Sequence, residues 1–262
     1  MERITSAQNP KIKALQSLQA KSAERREQNL FVVEGCRELQ HCIDALFEVR
    51  TVFHCPEICQ SLPAGLCEEC IFEVSPAVYD KIAYRGGTEG VIACIRPRAL
   101  TFENLEEKFA LKANPLVIVL EAVEKPGNLG AVLRSADAAG ADAVLVCDPL
   151  TDLYNPNLIR SSIGAVFTVP VLSCTSQEAI EWLQKRSFSI LTAQLQDSSL
   201  YYETDMTGPT AIVMGAESTG LTDIWRKAAT AHIRIPMLGR LDSLNVSVSA
   251  AILLFEAVRQ RR

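Results

Sequence analysis

From residue 115 onward the chain repeats one pattern six times: a short aliphatic run followed by a stretch with helical spacing. The runs are PLVIVLEAV, ADAVLVCD, VFTVPVL, FSILTAQL, PTAIVMGAE and HIRIPM. Near-continuous Val, Ile and Leu marks strands buried on both faces, and helices between such strands imply parallel crossovers. The expectation is an α/β fold with a mostly parallel sheet, covered by helices over residues 129–139, 177–186 and 246–259. In the last of these, Val246, Ala250, Leu253, Leu254 and Ala257 share one helical face. Sheets of this kind bind ligands beyond the carboxyl ends of their strands.

The earlier part of the chain is a smaller alternating α/β pattern. Asn9 is placed to cap, and Pro10 to open, a basic helix reaching Asn29, with Ile12, Leu15 and Leu18 at helical spacing. Short elements follow: LFVVEG, a helix over 36–47, VRTVFH, IFEVS, a helix over 76–84, and GVIACIR. Residues 97–114 are charged and helix-leaning with little apolar run, the expected linker. The expected division is therefore a basic N-terminal helix over 1–29, a small domain over 30–96, that linker, and a larger domain over 115–262.

Apolar residues at 48% exclude a disordered chain, and a formal charge of −5 argues against coating nucleic acid through global charge. The charge is segregated, however: residues 1–30 carry +3 and the remainder −8. Lys11, Lys13, Arg25 and Arg26 are the candidates for salt-dependent phosphate contacts. The polar start MERITSAQNPKIK lacks the apolar core of a secretion signal, and no run of 18 apolar residues occurs, so a cytoplasmic protein without a membrane span is expected. Nine cysteines, an odd count, fit reduced thiols better than a disulfide framework. Cys55, Cys59, Cys67 and Cys70 have enough sulfur for a tetrahedral zinc site, but the gap between the pairs is short and Glu68 and Glu69 fill the second. His41, His54 and His232 are scattered, so no metal is expected.

Three strand ends depart from plain packing sequence: EKPGNLGAVLRSADAAG, MGAESTGL and IPMLGRLDSLNVSVSA. None contains G-x-x-x-x-G-K-[ST], and Gly127, Gly130 and Gly140 do not make G-x-G-x-x-G, so a P-loop or a standard dinucleotide turn is excluded. In order and placement, the three segments resemble the three motifs of the SpoU (TrmH-like) family of S-adenosylmethionine-dependent RNA ribose 2′-O-methyltransferases, across about residues 116–259. FVVEGCREL and EGVIACIR resemble the L30e-like substrate-binding domain of two-domain rRNA members.

The resemblance implies a SPOUT-type catalytic domain with a trefoil-knotted backbone, a homodimer, an active site near the subunit interface, and S-adenosyl-L-methionine as cofactor. It makes Asn128, Arg134, Glu217, Ser243 and Asn245 catalytic candidates, and Gly215, Ile235 and Leu244 cofactor contacts. The implied activity is methyl transfer to a ribose 2′-hydroxyl of structured RNA, foremost 23S rRNA; a tRNA substrate, or a non-catalytic L30e-like RNA binder, are the alternatives.

Arg134 follows Asn128 by six residues, close to two helical turns, a spacing expected to turn both toward one site. A guanidinium is effectively never deprotonated, so Arg134 is expected to hold phosphate and stabilise a developing alkoxide; its plain alternative is a pair with Asp137. Asn128 also suits a helix cap, Glu217 a solvated loop, and Ser243 and Asn245 the cap of the last helix. The glycines at 215, 220 and 239 suit either plain turns or close approach to adenosine.

Overall fold

The computed structural model describes residues 2–84, 86 and 89–262. The chain divides into two compact units, Met1–Arg98 with Tyr154–Arg160, and Ala99–Leu153 with Ser161–Arg262. The first unit runs β1 (Glu2–Ile4), α1 (Pro10–Ala20), α2 (Ser22–Gln28), β2 (Phe31–Glu34), α3 (Cys36–Asp44), β3 (Val49–His54), β4 (Ile71–Val74), α4 (Pro76–Ile82) and β5 (Val91–Ile95). Its five strands lie in the order β1-β4-β3-β5-β2. Strand β5 is antiparallel to both β2 and β3, while β4 runs parallel to β1 and β3.

Asn9 caps α1 as its sequence suggests, accepting from the Lys11 N–H, and Ile12, Leu15 and Leu18 enter the core beside Phe53 and Tyr79. The basic segment is thus part of the small unit rather than a separate arm. The single helix expected to reach Asn29 is two helices, broken at Lys21, whose backbone is extended at φ −121°. At the break the last carbonyls of α1 lose their helical donors. Arg25 folds back to serve them, donating to the oxygens of Leu18 (2.7 Å) and Gln19 (3.3 Å), and is itself buried.

The second unit opens with α5 (Phe102–Phe109), inside the stretch expected to be linker. Its Leu105 and Phe109 are buried against Trp182 and Phe188, so these residues belong to the larger core. Thr101 caps the helix in a reciprocal box with Asn104. Next come β6 (Leu116–Glu121), α6 (Pro126–Ala139) and β7 (Ala143–Cys147); then α7 (Pro156–Ser162), whose residues up to Arg160 count with the first unit; and, back in the second, α8 (Ala165–Thr168), β8 (Val171–Cys174), α9 (Ser176–Lys185), β9 (Ser189–Ala193), β10 (Ser199–Leu200), β11 (Thr210–Met214), α10 (Asp223–Ala228), β12 (Ala231–Arg234) and α11 (Val246–Gln260).

The VFTVPVL run is therefore half helix and half strand, divided at Pro170, which has no N–H to give a ladder. The sheet has seven strands in the order β10-β12-β9-β11-β6-β7-β8, and every neighbouring pair is parallel. All carboxyl ends therefore leave one edge. Because β11 inserts between β9 and β6, with Met214 opposite Leu120, the turn after β6 and the turn after β11 emerge side by side.

Candidate active site

Each motif occupies one of these turns. After β6 the chain bends through Ala122, which adopts a left-handed φ of 50°, and Pro126 opens α6. Asn128 is consequently the third helical residue rather than the cap, a position that falls to Lys125, and its amide is free to reach sideways. After β11 the turn is closed by a bridge between Ala216 and Gly220. A Cβ at Gly215 would lie 2.3 Å from the Gly220 carbonyl carbon, so this glycine is demanded by closure of its own turn, whatever ligand approaches it. Glu217 projects from that turn.

Three side chains donate to the Glu217 carboxylate. Asn128 Nδ2 reaches Oε1, Asn245 Nδ2 reaches the same oxygen at 3.2 Å, and Lys125 Nζ reaches Oε2 at 2.6 Å. Asn245 Nδ2 also donates to Asn128 Oδ1 at 3.2 Å, so the two amides and the acid form a closed triangle. The amide orientations are determined by partners. Asn245 caps α11 by accepting from the Ser247 N–H at 2.9 Å, which turns its Nδ2 into the cluster. The cap and the site role of Asn245 are therefore one arrangement. Glu217 raises the pKa of Lys125 by hydrogen bonding and charge, keeping that ammonium protonated. With three donors on it, Glu217 is an orienting carboxylate.

Lys125 is the member that the sequence pattern missed. Its signal was adjacency alone, three residues before Asn128 in EKPGN.

Arg134 lies on α6 with its side chain exposed and is not part of the triangle. At 100° per residue, six residues advance the helix by about 600°, about 120° short of two turns, so the spacing does not set both residues on one face as expected. Nor does Arg134 form the alternative ion pair with Asp137 among the described residues; Asp137 accepts from Thr168 at 2.6 Å.

Beside the triangle, Ile235, Ser243 and Leu244 line one open cleft with Ala193, Met214 and Leu253, together with Asp242 and Ser249; its volume is about 150 Å³. Aliphatic walls suit a flat aromatic base, and a carboxylate with two hydroxyls suits hydroxyl and ammonium donors, a combination that fits S-adenosylmethionine. Gly215, the third expected cofactor contact, directly follows Met214 of this lining.

Among the expected RNA contacts, Lys11, Lys13 and Arg26 are exposed, whereas Arg25 is buried on the carbonyls of α1 and drops out. Lys11 also pairs with Glu2 at 3.2 Å and lies over the Phe72 ring. The cysteines are free thiols, and no group of three or more metal-ligating side chains occurs among the described residues. Cys59 adjoins Cys36, 3.2 Å between sulfurs, while Cys55 is buried beside Glu57. His54 and His232 bond to the Cys59 carbonyl and the Thr192 hydroxyl.

Residues 115–255 match the model of the SpoU rRNA methylase family. The chain belongs to this family. Residues 9–93 match the MRM3-like substrate binding domain. A 23S rRNA (guanosine-2′-O-)-methyltransferase, RlmB, of Vibrio vulnificus is 39% identical over 184 residues, spanning 70% of this chain and 74% of the relative. A crystal structure described as an RNA 2′-O ribose methyltransferase is 40% identical over 99% of both chains, with a TM-score of 0.81. An AdoMet-bound rRNA methyltransferase from Sinorhizobium meliloti is 28% identical, covers 98% of this chain and 97% of its own, and has a TM-score of 0.86. In this SpoU chain the three motifs are the three turns that meet at one sheet edge.

Proposed function

We propose that this protein transfers a methyl group from S-adenosylmethionine to a ribose 2′-hydroxyl of 23S rRNA in the cytoplasm. The observation that carries the reading is the triangle of Asn128, Glu217 and Asn245 beside a cleft suited to the methyl donor. When bound, S-adenosylmethionine supplies an electrophilic methyl on a positive sulfur. The chain's own task is to bring the ribose oxygen into line and to stabilise the charge that develops on it. Glu217 holds Asn128 and Asn245 in fixed orientation, so no reorganisation of these amides is needed as the substrate arrives. Arg134 holds the target phosphate and stabilises the developing 2′-alkoxide; as a permanent cation it works by charge, not as a base. Ser243, at the cleft rim, takes the polar end of the donor or the substrate.

Arg134 stands about a third of a turn away from the triangle on its helix, and a second copy of the chain completes the site. Supporting a homodimer, α11 bears an exposed apolar stripe through Val248 and Phe255, preceded by exposed Leu238 and Leu241. The backbone of the second unit is threaded as a trefoil knot, as in the family that it resembles. RNA is held by Lys11, Lys13 and Arg26, with the small unit recognising the folded shape around the target.

The test is transfer of a labelled methyl group from S-adenosylmethionine to 23S rRNA, followed by nuclease digestion and mass spectrometry for a 2′-O-methyl nucleoside. Wild type is expected to introduce one, and Arg134→Ala to lose transfer while calorimetry still detects donor binding. Transfer to tRNA alone, or none to either RNA, would overturn the reading; full activity in Arg134→Ala would remove its assigned role.

A further inference from the structure

Outside the triangle, the second unit buries another acid, Glu121, the last residue of β6, only 3% exposed. Its Oε2 accepts the Thr222 N–H at 2.8 Å, and its Oε1 accepts the Thr222 hydroxyl at 2.5 Å. Ser176 Oγ lies 3.3 Å from the same Oε1 but 2.5 Å from Asp148 Oδ2, and its single proton goes to the nearer acceptor. The Trp225 indole N–H completes the group by donating to Ser176 Oγ at 3.0 Å.

The location of these bonds gives Glu121 more than a packing role. Thr222 is five residues past Glu217, just beyond the Ala216–Gly220 bridge, so it is the far foot of the turn that carries Glu217. Glu121 itself begins the segment that leads through Ala122 to Asn128. One buried carboxylate thereby clamps the bases of the two turns whose tips meet as the Asn128–Glu217 hydrogen bond. Backbone turns with few internal contacts hold a side chain only as well as their feet are held.

We infer that Glu121 is a positioning residue for methyl transfer: through Thr222 it sets the turn that presents Glu217 to Asn128 and Asn245. It touches neither donor nor RNA and acts only through Glu217. The inference rests on the methyltransferase reading above.

The experiment is a double-mutant cycle on kcat with S-adenosylmethionine and 23S rRNA, using Glu121→Gln, Glu217→Gln and the pair. The glutamine keeps the size of Glu121 but removes its charge and replaces one of its two acceptor oxygens by an N–H₂ group. Glu121→Gln is expected to lower kcat at least tenfold with KM for RNA changed less than threefold. In the Glu217→Gln background the same change is expected to cost less than twofold, because the group it positions is already gone. Losses that multiply in the pair, or an unchanged kcat in Glu121→Gln, would overturn the inference. Should Glu121→Gln not fold by circular dichroism, Thr222→Val removes only the hydroxyl bond, and the same cycle is run with it under the same criteria. A wild-type protein that transfers no methyl overturns the methyltransferase reading and this inference with it; an active wild type with multiplying losses overturns the inference alone.

Discussion

Arg25 carries a charge into the interior of the small unit, and its guanidinium serves two carbonyls that the end of α1 leaves open. Arg25→Ala should therefore cost stability, about 1–3 kcal/mol for leaving buried carbonyls without donors. Lys13→Ala, at an exposed position, should cost almost nothing. Urea unfolding of the two variants checks this, and equal midpoints would refute the structural role of Arg25. In sequence the two residues are indistinguishable, both being cations in a basic helical segment. What separates them is the break at Lys21, a matter of backbone path that spacing does not encode. Asn128 and Glu217 became candidates by another route, the resemblance of whole motifs; by position alone the first reads equally as a helix cap and the second as a solvated loop acid.

At the level of elements, legibility followed burial on two faces. Strands β6, β7, β9 and β11 announce themselves as aliphatic runs because both of their faces are buried, whereas β12, with only Ile233 buried, is read from a weaker run. Helix α5 does not, since only Leu105 and Phe109 of its eight residues are buried, Phe102 is partly buried, and the other five are charged or polar. A one-sided short helix and a solvated linker have nearly the same composition.

The last helix offers a pH test of its own. Glu256 on α11 is buried and bonded to Arg259 (2.7 and 2.8 Å) and Gln260 (2.8 Å), and the Arg259 guanidinium holds its carboxyl below the usual range. A depressed folded-state pKa contributes stability that is present above the unfolded value, about 4.3, and is lost as pH falls through the folded one. Glu256→Gln should thus melt below wild type at pH 7, with the gap closing as pH drops beneath about 4. A gap that stays constant from pH 7 to 3 would show that Glu256 does not contribute through its charge.

For the whole molecule, the question is how many chains make one working site. The triangle of one chain holds two amides and a carboxylate, while Arg134, the cation proposed to stabilise the alkoxide, leaves α6 about 120° around the helix from Asn128. Helix α11 meanwhile leaves two apolar side chains, seven residues apart on one face, half exposed: Val248 at 47% and Phe255 at 49%. The pairing proposed above would cover these side chains, because a two-fold axis can set each copy's α11 against the other. Because Asn245 caps this same helix, the proposed interface and the triangle would share one rigid element. Phe255→Glu should therefore separate the copies, read as a halved mass in light scattering, and transfer should fall together with dimer fraction. Diluting the wild type below its dissociation constant should lower activity per chain in the same proportion. A Phe255→Glu protein that is monomeric and fully active would place Arg134 and the triangle within reach of each other in a single chain, and the dimeric site would have to be abandoned.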